Sequence, residues 1–361
     1  MNKINICIIA IFMLLSTLIS CEFAAMEANP GKDHVSIFNE FWELFNTKYA
    51  MFDAKGVDWT AVYNDNRDLI DNTISDDSLF RVMGRMVLLL KDGHTSLNGF
   101  NSLSSEEFSA ITEKYDEKDP SEIDPFVFRD ASFSILEGFP ENLDTTVVKE
   151  KYLNGKVDTA EGMTYTTLDD NIGYIVYRDF LQPVSDESMD LVLRALANTK
   201  GIILDVRGNQ GGSPAFAEIM ASHFTDKPVK TGFERFKTGP GPNDFKDSPI
   251  TIHPAKGELY TKPVAVLTNR ACYSATTTLI YSMNPMPHVT FIGGRTGGGS
   301  GSVADGHLAN GWQYSLSVSE FIDHEGRHLD DGFDPDIMVN LNEKDKSRDE
   351  IIERARSELR K

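Results

Sequence analysis

From residue 172 onward short β-branched runs alternate with longer helical ones, and that alternation limits the folds open to this chain more than any other feature. The apolar runs fall at 172–177, 202–206, 264–268 and 289–292, with helical patterns at 185–198, 214–224 and 273–283. Strand and helix in that order predict an α/β sheet. Parallel sheets place their functional loops at the carboxyl ends of the strands. Three unusual segments stand at those positions: DVRGNQGG at 205–212, NRACYS at 269–274 and GGRTGGGSG at 293–301.

A serine directly after a buried strand, with a helix starting on it, lies in the positive field of the helix N-terminus and beside amides able to hold an oxyanion. Ser274 has that placement, which an ordinary N-cap serine shares. Gly211 and Gly212 supply amides that no side chain shields, in a loop that also reads as a tight strand-to-helix turn with Ser213 capping and Pro214 as first helical residue. His94 stands in KDGHTS, directly after the apolar run MVLLL. A polar turn there brings an imidazole to the edge of the core, as a general base or as a structural histidine. No metal is expected, although HEGRH at 324–328 spells the HExxH pattern. The glycine run lacks the GK[ST] ending of a phosphate loop and has no clear helix after it. It reads as a flexible wall beside a site.

Residues 1–21 carry one basic residue and an apolar run from Ile4 to about Leu15, the pattern of a signal peptide and too short for a bilayer span. Residues 22–35 read as a tether. Residues 36–100 predict a small helical region, with Ile37, Phe38, Phe41, Trp42, Leu44 and Phe45 near helical spacing and further helical runs at 59–70 and 76–90. Residues 101–165 are acidic and broken by Gly and Pro, an irregular connection with a helix expected at 105–115. With 35 Lys+Arg against 55 Asp+Glu the formal charge is −20, which would repel a phosphate backbone and excludes nucleic acid as a partner. Three cysteines, of which Cys7 lies within the signal peptide and Cys21 at its end, exclude a disulfide scaffold and a cysteine-rich zinc site.

Leu-Ile-Ser-Cys at 18–21 resembles the lipobox of bacterial lipoproteins. That resemblance implies lipidation of Cys21 and an extracytoplasmic chain anchored to a bacterial membrane, facing the periplasm or the cell surface. The alternative is an ordinary secretory peptide cleaved near Ala24-Ala25.

KDGHTSL at 91–97, GIILDVRGNQGGS at 201–213, VAVLTNRACYSAT at 264–276 and GGRTGGGSG at 293–301, in this order, resemble the serine peptidase family of tricorn core proteases and C-terminal-processing proteases, in particular its bacterial lipoprotein members. The resemblance implies a crotonase-like α/β core of ββα units over residues 166–345, a C-terminal helix at 346–361, and no cofactor. It implies Ser274 as nucleophile, His94 as general base, and an oxyanion hole from amides near Gly211 and Gly212 and of Ala275. One branch of the family uses a serine/lysine dyad. No lysine occurs here between Ser274 and Lys344, so that branch is excluded.

The tricorn-like branch orients its histidine through an acid shortly before a Gly-x-x-Pro-Asp signature, found here at 332–336. The local sequence HLDDG at 328–332 departs from the family's Glu-Gly-x-Gly and aligns Asp330 with the acid only through a one-residue deletion, with Asp331 as the alternative. Ser-Ala-Thr-Thr at 274–277, rather than Ser-Ala-x-Glu, also points to the tricorn-like lipoproteins, and residues 98–165 lack the glycine-rich peptide-binding loop of a PDZ module. The implied activity is hydrolysis of peptide bonds in protein or peptide substrates at the cell envelope. The competing reading is a degenerate member that binds peptides or lipophilic ligands without hydrolysis.

Overall fold

The computed structural model describes residues 31–99, 130–132, 134–135, 140–153, 157–342 and 344–361. The N-terminal part is helical: α1 (His34–Lys48), α2 (Phe52–Lys55), α3 (Trp59–Asn66) and α4 (Asp76–Leu88). Asp33, Asp58 and Ser75 cap α1, α3 and α4 by accepting backbone N–H groups that the first turn leaves unpaired. Strands β1 (Ser96–Asn98), β2 (Asp130–Ser132), β3 (Asp158–Ala160), β4 (Met163–Thr167) and β5 (Gly173–Val176) follow. Next come α5 (Asp186–Ala195), β6 (Ile202–Asp205), α6 (Pro214–Ser222), β7 (Val229–Lys237) and β8 (Phe245–Ile252). The chain continues through β9 (Val264–Thr268), α7 (Ala275–Met283), β10 (Val289–Gly293), β11 (Val303–His307), β12 (Gln313–Ser317), β13 (Ser319–Asp323), β14 (Ile337–Met338) and α8 (Glu350–Glu358).

The central sheet runs β14-β10-β9-β6-β5-β4-β3, parallel from β14 to β5 and antiparallel at the β4 and β3 edge. Its strands alternate between two apolar layers. Ile175, Leu204 and Val266 enter the cluster that holds Met189, Ala217 and Leu279 of α5, α6 and α7. Tyr174, Ile203 and Ala265 enter the cluster that holds Ile351, Ile352 and Ala355 of α8. Burial on both faces is why these strands read as continuous apolar runs rather than as alternating ones.

The sheet β11-β12-β1-β2 carries the N-terminal helices. Phe38, Phe41, Phe45, Trp59 and Phe80 share one core with Leu97, Trp312, Tyr314 and Leu316, so residues before 100 pack against residues beyond 300. A third sheet, β13-β7-β8, is antiparallel. The helix expected at 105–115 lies outside the described residues. No described helix is long and apolar enough to cross a membrane.

Candidate active site

β9 ends at Thr268 and α7 begins at Ala275, and the turn between them carries Ser274 at φ 56° and ψ −119°. A non-glycine residue in that region is strained by ~1–3 kcal/mol and persists only where its surroundings fix it. Here they do. The Ser274 amide donates to Gly298 O (2.9 Å), the Tyr273 amide to Asn209 O (3.1 Å), and Thr277 Oγ1 to Gly298 O (2.5 Å). The result is a strand–turn–helix elbow without a GxSxG sequence. Ser274 makes no side-chain cap bond, and among the described residues its hydroxyl has no hydrogen-bond partner.

The loop after β6 lies against this turn. A Cβ added to Gly211 would stand 2.7 Å from Ser274 Cβ and 2.8 Å from the Ala275 amide nitrogen. The Gly211 amide donates to Asn209 Oδ1 (3.0 Å), whereas among the described residues the amides of Gly212 and Ala275 have no acceptor. Of the two glycine donors expected from sequence, one is thus engaged within its own loop. Asn209, fully buried, also receives Thr276 Oγ1 on its carbonyl (2.8 Å), tying the loop to α7.

Beneath the loop Asp205 is bracketed by Arg178 and Arg207, both at 2.8 Å, and Arg207 reaches Asp349 at 2.8 Å. Burial alone would raise the Asp205 carboxyl; the two guanidiniums override it and hold it far below the usual carboxylate range. Cys272, also in this turn, is buried, and burial pushes its thiol up to about 12, so it remains protonated.

His94 reaches the site from the turn before β1. Its ring lies against that of Tyr273 (centroids 4.8 Å, tilted 53°), the residue preceding Ser274. Burial lowers its pKa, and the Asp92 carboxylate offsets part of that. Its Nδ1 is buried with no partner among the described residues, and no hydrogen bond joins the imidazole to Ser274 or Asp330. The expected serine–histidine–acid chain is therefore not closed in this conformation.

The physical reason on the acid side is that Asp330 is already engaged. Its Oδ2 pairs with Lys55 Nζ at 2.5 Å and its Oδ1 accepts the Ser300 amide at 3.2 Å. Asp330 is 6% exposed, and burial first, then the charge of Asp92, push its carboxyl up to about 7 against the pull of Lys55. Asp331, the alternative, is an exposed partner of the same lysine at 2.5 Å. Asp92 is itself buried and accepts the His94 amide (2.9 Å), Thr95 Oγ1 (2.7 Å) and Ser317 Oγ (2.8 Å). Sequence reasoning missed Lys55, Asp92 and Asn209. Asp92 stood in view two residues before His94, but nothing in the sequence tied Lys55 to residues some 275 positions away. Among the described residues no group of three or more His, Cys, Asp or Glu is placed to hold a metal.

The profile of peptidase family S41 matches residues 171–339, and that of the tricorn protease C1 domain matches residues 30–87. The chain belongs to peptidase family S41, whose members are serine-type peptidases. It is 33% identical to a candidate peptidase from Parabacteroides merdae ATCC 43184 whose crystal structure superposes with a TM-score of 0.78, covering 91% of this chain and 97% of that one. Mature CPAF shares the fold at 14% identity, with a TM-score of 0.61 over 91% of this chain and 96% of its own. The carboxy-terminal processing protease CtpA of Bacillus subtilis (strain 168) is 27% identical over 175 residues, which span 48% of this chain and only 36% of that protein.

Proposed function

We propose that the protein hydrolyses peptide bonds of protein or peptide substrates through an acyl-enzyme on Ser274, with His94 as the general base. The observation that carries this reading is the Ser274 elbow: a strained serine at a helix N-terminus, beside unpaired amides at Gly212 and Ala275. In this reading Ser274 Oγ attacks the carbonyl carbon while His94 takes its proton, then returns it to the leaving amine. The developing oxyanion is held by the Ala275 amide and the Gly211–Gly212 loop, donors worth ~10²–10³-fold each. A lowered imidazole pKa supports His94 in this role, since its base form predominates at neutral pH. Catalytic hydrogen bonds are often long or unformed until substrate is bound, so the open His94–Ser274 pair is compatible with this chemistry.

Asp330 takes the acid's place in this reading, acting on the serine side through the glycine loop it anchors: its carboxylate receives the Ser300 amide and its carbonyl the Gly299 amide (2.9 Å). The parallel sheet is read as a crotonase-like core at 166–345, preceded by the helical region at 36–100. The resemblance of residues 18–21 to a lipobox supports an envelope location with a lipid anchor on Cys21.

The test is hydrolysis of an unstructured polypeptide by the purified protein, with Ser274→Ala and His94→Ala alongside. Cleavage lost in both variants is expected. Folded wild type that binds peptide without cleaving it would favour the non-hydrolytic binder.

A further inference from the structure

We infer that Lys55 is a positioning residue of the peptidase site, holding the Asp330 carboxylate against the glycine loop that seats Ser274. This rests on the reading of Ser274 and His94 given above. Lys55 closes α2 in the N-terminal helical region, outside the parallel sheet, and its side chain is only 5% exposed. Its ammonium contacts Asp330 Oδ2 and Asp331 Oδ1, both at 2.5 Å, and the Lys91 carbonyl at 3.3 Å. A lysine this buried needs paired partners to remain charged, and here it has them. From Lys55 a continuous path leads to the nucleophile. Asp330 Oδ1 and O receive the amides of Ser300 and Gly299, and Gly298 O receives the amide of Ser274.

Two buried carboxylates, Asp92 and Asp330, face each other electrostatically with Lys55 as the paired cation. The other groups acting on this cluster are the phenols of Tyr49 and Tyr273, the exposed Asp331, and His328, which pairs with Glu320 at 3.0 Å. None of them replaces the charge of Lys55. Without it, burial and the like charge of Asp92 keep Asp330 protonated to higher pH. The N-terminal helices, joined to β12 by a shared core, would thereby set the ionisation of a group that anchors the active-site loop.

The test is the pH dependence of fluorophosphonate labelling of Ser274 in purified wild type, Lys55→Met, Lys55→Arg, Asp330→Asn and the double variant Lys55→Met/Asp330→Asn. Wild type is expected to lose labelling on the acid side near the Asp330 value of about 7. Lys55→Met moves that limb alkaline by about one pH unit or more, roughly a tenfold loss below the limb, and Lys55→Arg restores it. Asp330→Asn, neutral at every pH like protonated Asp330, is expected to label at the low acid-side rate throughout with no limb near 7, and Lys55→Met adds no further loss in that background.

A Lys55→Met limb that coincides with wild type, whatever its plateau, overturns the role of Lys55 and leaves the serine reading standing. Labelling that survives Ser274→Ala overturns both. Should Lys55→Met fail to fold, the charge-balanced double variant and Asp330→Asn decide: an Asp330→Asn limb unchanged from wild type overturns the inference.

Discussion

In the proposed mechanism, replacing Gly211 with alanine puts a methyl group where the reacting oxygen of a substrate would sit. The added Cβ would stand 2.7 Å from Ser274 Cβ, 2.7 Å from Tyr273 O and 2.8 Å from the Ala275 nitrogen, and none of these is the mobile end of a long side chain. The residue also has φ +105°, which L side chains rarely adopt. The backbone penalty is ~1–3 kcal/mol, and each kcal/mol lowers the melting temperature by roughly 2–4 °C in a domain of 150–250 residues. The chemical penalty is separate: blocking one oxyanion donor costs ~10²–10³-fold. Fluorophosphonate labelling kinetics and thermal unfolding on the same samples read the two effects apart. Gly311→Ala is the control, since Gly311 has φ +91° with no heavy atom within 4 Å of the added Cβ. It should lower the melting temperature and leave labelling untouched. A Gly211→Ala variant that labels at the wild-type rate would refute the placement of the oxyanion beside Ala275.

Three further outcomes are expected. Asp205→Asn strips Arg178 of its buried anion, leaves Arg207 with Asp349 alone, and should cost about 3–5 kcal/mol in urea unfolding, because breaking a buried pair leaves an uncompensated charge. In wild type, because the folded Asp205 carboxyl lies below its ordinary 3.8, its contribution is present above that pH and drains away on acidification below it. Asp330 has the opposite sign: its folded carboxyl is raised from 3.8 to about 7, so its contribution to stability is lost as pH rises through that window, and Asp330→Asn should remove this slope from the stability–pH curve. Trp312→Ala removes a fully buried indole that meets Phe80 edge-on at 5.2 Å and should destabilise the protein by ~3–5 kcal/mol, seen in chemical denaturation.

The parallel strands β5, β6, β9 and β10 were legible because they are buried on both faces: β6 and β9 are buried throughout and apolar up to their last residues, Asp205 and Thr268, and a run of that kind bounded by turn residues has few other readings. The position of Ser274 at the hand-over from strand to helix was legible for a related reason. β7 and β8 were not. Their sequences VKTGFERFK and FKDSPITI mix charges with aromatics on half-exposed faces and carry no period of two. The N-terminal helices were readable from apolar spacing, but their attachment to Trp312 and Leu316 depends on pairing between β1 and β12 that no local pattern encodes. Lys55 was hidden for the same reason. A lysine at the end of a short helix reads as solvated until the fold brings two aspartates onto it. Asp330 was placed by its proximity to Gly332, and its engagement by Lys55 rather than by His94 is a property of the tertiary structure alone.

The central claim, that Ser274 is an activated nucleophile, is tested most directly by treating the folded protein with a fluorophosphonate and mapping the adduct by mass spectrometry. The account predicts one adduct, on the peptide containing Ser274, that disappears in His94→Ala. Folded wild type that acquires no adduct, or one on another residue, would contradict it.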